Sequence, residues 1–411
     1  MDRLHFEEAV AAIQAEARPG EKRGRLPIES SAGLVLAEDV VADIDMPAFD
    51  RAAMDGFAFR HEDGTADRAW RIVGQIAAGA AATPVELAQG QCVKIMTGAV
   101  VPSSADTIIP VEATSGFAEI GMDVRFEELP AKGAHIAPRG QNLRSGEPLL
   151  SRGRLLQAQE IGMLAAVGCR QVDVYLGPQI AFAATGDELR EPGEPLPQAC
   201  IRNSNAYSLW AQILAARAEP DYIGILRDEP DSLRQKLAAA LERADLVVLT
   251  GGVSMGEYDY IPGILAELGV RICFQKLWVR PGQPTLFGYV EQAASRRTLV
   301  FGLPGNPIST LLAFDQYVLP AIRAFRRAPL PVLPKRVGRL TAPTRTRPGF
   351  TSLVPCRTEW KEDRYRLHPL KTHGSADIFA TRGADAVAIV PPREGGAPAG
   401  TRVAFRTLYQ P

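Results

Sequence analysis

The chain has 411 residues, of which 46% are hydrophobic and 23% charged, which excludes a disordered or collagen-like protein and exceeds what one hydrophobic core organises. A formal net charge of −1 excludes non-specific nucleic-acid binding by the whole molecule. No apolar run approaches the roughly 18 residues that would suggest a membrane span.

The opening Met-Asp-Arg-Leu-His-Phe-Glu-Glu is acidic and amphipathic, without the basic start and apolar stretch of a signal peptide, so a cytoplasmic location is expected. Residues 4–17 read as a helix, with Phe6, Val10, Ile13 and Ala17 on one face. Ser30 or Ser31 is placed to cap a short helix running through Ala37. From about 45 to 143 the texture is that of a β domain. Short apolar runs at Phe57–Phe59, Trp70–Val73, Cys92–Met96, Thr107–Val111 and Val124–Phe126 alternate there with Gly and Pro. Residues 155–167 return to helical spacing.

Between about 177 and 328 strand and helix alternate. Strands are expected at Ile180–Ala184, Tyr222–Leu226, Leu246–Leu249, Arg271–Leu277 and Leu299–Phe301. Helices are expected from Asn203-Ser204, over 231–243, near 260–268, and as one long helix after Ser309. That order implies a largely parallel sheet covered on both faces. The last 80 or so residues read as strands again, at Arg364–Leu367, Ala386–Val390 and Arg402–Phe405, in a small barrel or sandwich. The fold class is therefore α/β and β multidomain. Its expected parts are 1–44 plus 144–176 (mixed helical), 45–143 (β), 177–328 (α/β) and 329–411 (C-terminal, β-barrel-like).

Five dispersed cysteines without a C-x-x-C pair argue against both a disulfide framework and a zinc knuckle. Charge is less evenly spread than the total implies. From Pro329 onward there are 14 Lys and Arg against 6 Asp and Glu, so the preceding body is acidic. The contrast suggests an anionic ligand where the two meet, or simply a solvated basic face.

Ligands of open parallel sheets bind beyond the carboxyl ends of the strands, where loops hand over to helices. Three such loops carry suitable chemistry. Thr185-Gly186-Asp187-Glu188 offers a hydroxyl, a close-approach glycine and two carboxylates. Thr250-Gly251-Gly252-Val253-Ser254 offers backbone N–H groups and hydroxyls able to wrap a phosphate. Leu303-Pro304-Gly305-Asn306-Pro307 places Asn306 as a helix cap and Pro307 at the first helical position. Singly each is an ordinary turn; three in one sheet point to a phosphorylated, nucleotide-like ligand. Glu188, Asp228 and Asp259 lie beside these loops, as oxygen ligands for Mg²⁺ or, for the two aspartates, as helix caps. Lys276 and Arg280 follow the strand from Arg271, as anion contacts or solvated charges.

No G-x-x-x-x-G-K-[ST] or G-x-G-x-x-G motif is present. Gly252-Val253-Ser254-Met255-Gly256 fits the nucleophile elbow of serine hydrolases. However, the helix signal starts only near Asp259, and the histidines downstream, His368 and His373, fall in the terminal β region.

The loops together resemble the MoeA family and the gephyrin E domain, the molybdopterin molybdenumtransferases. The resemblance spans essentially the whole chain. It is carried by Pro47-Ala48-Phe49-Asp50, Ala53-Met54-Asp55-Gly56-Phe57-Ala58, Ile95-Met96-Thr97-Gly98-Ala99, Gly256-Glu257-Tyr258-Asp259-Tyr260 and the three loops above. It implies a MogA-like α/β domain and a homodimer whose cleft is completed by the partner's β domain. It also implies placement of molybdate on the dithiolene of adenylylated molybdopterin with release of AMP, supported by Mg²⁺. Catalytic roles would fall to Asp55, Thr97, Glu188, Asp228, Asp259 and Lys276, with metal at Glu188, Asp228 and Asp259. Thr185, Gly186, Gly251, Gly252, Ser254, Arg280, Pro304, Gly305, Asn306, Pro307 and Ser375 would bind the substrates. Expected partners are the molybdopterin adenylyltransferase and recipient molybdoenzymes, with no nucleic acid and no membrane.

The chain departs from the family pattern where molybdate is expected. Asn142 stands for an acid, Gln283 for a lysine, Ala52 for a serine, and Gly349-Phe350 with Leu353-Val354-Pro355 lacks two arginines. Arg280 replaces a lysine, keeping charge with a different geometry. These losses leave open a non-catalytic relative that binds molybdopterin as carrier, scaffold or regulator.

Overall fold

The computed structural model describes residues 3–64, 68–80, 85–253, 260–292 and 296–408. Contacts gather the chain into two compact units, 39–151 with 162–170, and the remainder.

The larger unit is organised by a six-stranded sheet in the order Glu219–Leu226, Gln179–Thr185, Leu246–Thr250, Arg297–Leu303, Leu286–Glu291, Arg271–Phe274. The first four strands are parallel, and Leu286–Glu291 runs antiparallel to both its neighbours. Successive side chains of a strand point to opposite faces, and the sequence uses both. Ile180, Phe182, Val248 and Phe301 enter one apolar core with Leu209, Ile213 and Leu312. Ala181, Ala183, Val247, Leu249 and Val300 enter the other with Leu233, Leu237 and Leu265. Both faces are therefore covered, which a parallel sheet requires.

The N-terminal helix Phe6–Glu16 adds Phe6, Val10 and Ile13 to the first core, as its spacing predicts. After it the expectation fails. A 3₁₀ turn, Ile28–Ser30, leads to the strand Val35–Leu36, and no helix runs to Ala37. Ser31 Oγ donates to the Pro27 carbonyl, at 2.9 Å, instead of capping a helix. The strand Leu286–Glu291 carries no sequence expectation because Gly288 interrupts it. A Cβ there would sit 2.6 Å from the Arg271 carbonyl oxygen of the neighbouring strand, so close approach explains the glycine.

The long helix expected after Ser309 is Pro307–Ala313, a π-helical turn at Phe314–Val318, then Leu319–Phe325. Pro320 has no N–H for the Gln316 carbonyl and its ring crowds that oxygen, which accounts for the widened turn ahead of it.

The C-terminal strands close into a barrel. Ala386–Val390 pairs with both Arg402–Thr407 and Thr351–Lys361, joining the ends of the ordered strands. Leu340, Cys356, Leu367, Val403 and Phe405 fill it, while Leu353, Val387 and Ile389 join the first core of the α/β sheet.

In the smaller unit a five-stranded sheet runs Thr107–Pro110, Gly56–Phe59, Gln91–Ile95, Ala69–Ile76, Asp123–Arg125. Phe57 and Phe59 pack with Trp70 and Phe126, and Ala58 packs on the other face with Val93, Ile95 and Ile108. A Cβ on Gly56 would lie 1.9 Å from the Ile109 carbonyl oxygen, so that position accepts only glycine.

Candidate active site

The carboxyl ends of Gln179–Thr185, Leu246–Thr250 and Arg297–Leu303 are neighbours in the sheet, and their loops line one cleft of about 840 Å³. Thr185, Gly186 and Glu188 come from the first loop, Thr250, Gly251 and Gly252 from the second, and Pro304, Gly305, Asn306 and Pro307 from the third. Asp228, after Glu219–Leu226, lines the same cleft.

Hydroxyls tie the loops to one another. Buried Thr250 donates its Oγ1 to the Pro304 carbonyl at 3.0 Å, and Thr310 Oγ1 donates to the same oxygen at 2.5 Å. Thr185 Oγ1 reaches the Thr250 carbonyl at 3.4 Å. Asn205, on the first turn of helix Ser204–Ala215, donates from Nδ2 to Thr250 Oγ1 at 3.0 Å and to the Gly305 carbonyl at 2.7 Å. Gly251 and Gly186 both sit at positive φ, and at Gly251 the neighbouring backbone excludes a side chain as well. Gly251 has φ +87° and a Cβ there would lie 2.8 Å from the Thr185 carbonyl oxygen; at Gly186, φ +138°, it would lie 2.4 Å from Glu188 Oε2. Arg227 and Arg190 each donate to the Asp187 carbonyl at 2.8 Å, holding the outside of the first loop.

Asn306 occupies the N-cap position but does not cap through its side chain. Its Nδ2 donates instead to Ser375 Oγ at 2.9 Å, while the Ser375 carbonyl accepts from Ile308 N at 3.0 Å. The segment that follows contributes Ala376, Ile378 and Phe379 to the cleft.

Other expected positions fall elsewhere. Lys276 and Arg280 are absent from the lining residues of the cleft. Arg280 starts the barrel by pairing with Ser352, and its guanidinium lies 5.4 Å from the centroid of Phe350. The lining arginine is Arg202, anchored to the Glu191 and Glu194 carbonyls at 3.2 and 2.5 Å. Sequence reasoning missed Arg202, Asn205 and Phe379; the polar run Arg202-Asn203-Ser204-Asn205 at a helix start was the available signal.

Asp55 and Thr97 form a pair of their own in the smaller unit. Asp55 Oδ1 accepts from Thr97 N at 2.6 Å and from Thr97 Oγ1 at 2.7 Å. Those two bonds hold the carboxyl below its usual range.

Ser254 and Asp259 lie outside the described residues. Among the described residues no group of three His, Cys, Asp or Glu side chains is arranged to hold a metal. Glu188 and Asp228 nonetheless share the cleft and offer oxygen only, the donor type Mg²⁺ takes with substrate phosphates completing its shell. The hydrolase elbow gains no support: His368 pairs with Glu359 at 3.1 Å and His373 with Asp377 at 3.2 Å, and neither lines the cleft.

Family comparison accounts for almost the whole chain. Residues 4–168 match the MoeA N-terminal region (domain I and II), 181–324 a probable molybdopterin binding domain, and 337–408 the MoeA C-terminal region (domain IV). The chain belongs to the MoeA family of molybdopterin molybdenumtransferases. It is 32% identical over 399 residues to the molybdopterin molybdenumtransferase of Bacillus subtilis, covering 94% of this chain and 90% of that one. It is 37% identical over 297 residues to that of Nostoc, covering 71% and 66%. The crystal structure of the molybdopterin biosynthesis MoeA protein from Pyrococcus horikoshii OT3 superposes with TM-score 0.80 at 26% identity, covering 99% of this chain and 100% of that one.

Two of the positions where the sequence departs from the expected pattern are packed in apolar surroundings. Phe350 is buried, edge-on to Trp278 with centroids 5.0 Å apart, and the Arg347 guanidinium lies 5.3 Å from its ring. Ala52 is fully buried in the smaller unit's core. The Asn142 N–H donates to the Met46 carbonyl at 2.9 Å.

Proposed function

We propose that this chain places molybdate on adenylylated molybdopterin and releases AMP. The observation that supports this reading is the gathering of three glycine-bearing loops, with Glu188 and Asp228, around one cleft of about 840 Å³ in a chain of the MoeA family. Backbone N–H groups of the loops at 185–188, 250–252 and 304–307 suit a pyrophosphate bridge. Water adds to a phosphorus of that bridge and the P–O bond breaks, leaving AMP and the phosphate of molybdopterin. The two thiols of the dithiolene bond to molybdenum through sulfur, and the two protons they give up carry one oxygen of molybdate away as water. Glu188 and Asp228, with Asp259 from the sequence, would hold Mg²⁺, which supplies charge neutralisation at the phosphates. Asn306 and Arg202 of the cleft lining would offer an amide and a positive charge to the oxyanion, with Ser375, outside that lining, bonded to Asn306.

In this reading the chain acts as a homodimer in the cytoplasm, with Asp55 and Thr97 presented to the partner's cleft. It takes its substrate from the adenylyltransferase and passes product to recipient molybdoenzymes. A second reading, a molybdopterin carrier without metal insertion, is favoured by Arg280, which rests against Phe350 outside the cleft lining. Incubating the purified chain with adenylylated molybdopterin, Mg²⁺ and molybdate separates the two. AMP release that tracks activation of an apo-molybdoenzyme, and falls at least tenfold in Glu188→Gln, supports insertion. Tight binding without AMP release supports the carrier.

A further inference from the structure

We propose that Phe379 is the stacking platform for a planar heteroaromatic ring of the substrate, an inference that rests on the adenylylated-pterin reading above. Phe379 is 78% exposed and is the aromatic side chain among the described residues lining the cleft. A single exposed apolar residue is ordinary on a protein surface. This one is different because its backbone is fastened to the site.

Ser375, four residues earlier, is bonded to Asn306 and Ile308 of the third loop. Asp377 accepts from His373 N at 3.2 Å, and the Asp377 carbonyl accepts from Ala380 N at 3.1 Å. Thr381 Oγ1 donates to the Ile378 carbonyl at 2.7 Å, closing the 3₁₀ turn Ile378–Thr381. The ring is thus carried on a braced turn at a cleft whose loops also present glycines, hydroxyls, amides and the carboxylates of Glu188 and Asp228. Leu189, Ile201 and Ile378 add aliphatic side chains to the lining, Ile201 being 56% exposed. Polar loops suit the phosphates; an exposed phenyl edge and face suit a flat, polarisable ring, which stacking recognises with little regard to its substituents.

Adenine and the pterin both have that chemistry, and they sit at opposite ends of the pyrophosphate. The test uses the full chain with AMP, molybdopterin and inorganic pyrophosphate as separate probes. Phe379→Ala is expected to keep the wild-type melting temperature and pyrophosphate affinity. It is expected to bind one of the two heterocycles about tenfold more weakly or worse. Phe379→Trp is expected to keep that affinity, with indole fluorescence quenched by the same ligand. Loss toward AMP assigns the platform to adenine, and loss toward molybdopterin to the pterin. Wild-type binding that Phe379→Ala leaves unchanged for both overturns the platform alone. A wild-type chain that binds neither heterocycle overturns this inference together with the reading beneath it.

Discussion

Asn306 donates from Nδ2 to Ser375 Oγ at 2.9 Å, joining the third sheet-edge loop to the segment that leads into the last two barrel strands. The amide at a helix N-cap position would ordinarily serve its own helix. Here it orients a hydroxyl from 69 residues further along the chain.

Ser375→Ala removes that bond without creating a clash. A neutral hydrogen bond contributes about 0.5–1.5 kcal/mol, so the chain should remain folded with a melting temperature lowered by only a few degrees. Molybdate-dependent AMP release should fall at least tenfold, measured by chromatography. Turnover equal to wild type would remove Ser375 from the site.

Asn205→Ala leaves Thr250 Oγ1 and the Gly305 carbonyl without their shared donor, at an expected cost of about 1–3 kcal/mol in urea unfolding. Asn205→Asp should be worse near neutral pH, because a carboxylate faces the Gly305 carbonyl and cannot donate. In acid its protonated form can donate, so the gap between the two variants should narrow below about pH 4. A pH-independent gap would contradict the bridging role.

Gly251→Ala and Gly305→Ala should differ sharply although both sit on cleft loops. At Gly251 the added Cβ meets backbone and φ is +87°, so destabilisation of about 1–3 kcal/mol is expected. At Gly305 the nearest atom, Gly251 Cα, is 3.6 Å away, an ordinary contact, and stability should stay within about 0.5 kcal/mol. Calorimetry on both variants checks the contrast.

Asp55 makes a stability contribution with a definite pH sign. Its folded carboxyl is held low by the two Thr97 bonds, so the contribution is fully present above the unfolded value of about 3.9. It is lost as pH falls through the folded value. Thermal melts of wild type should therefore steepen below about pH 4, and Asp55→Asn should flatten that region. Parallel acid limbs for the two proteins would show that Thr97 does not hold the charge.

Local patterning made much of this protein legible. Unbroken apolar runs bounded by turn residues marked the strands at Gln179–Thr185, Leu246–Thr250 and Ala386–Val390, because strands buried on both faces leave that mark in the chain. Glycine and proline marked the three loops, because positive φ and close approach admit few other residues. Leu286–Glu291 and Thr351–Lys361 were not legible, since Gly288 and Pro355 interrupt them, although each pairs with the strand that follows it in the chain.

The sequence by itself determined which loops carry phosphate-binding chemistry, which carboxylates stand beside them and which family the chain resembles. Only the tertiary structure decided that Arg202, Asn205 and Phe379 line the cleft while Lys276 and Arg280 do not. Strand order follows from hydrogen bonding across the sheet rather than from order along the chain. The neighbours of a sheet-edge loop are therefore set by packing, which no local pattern records.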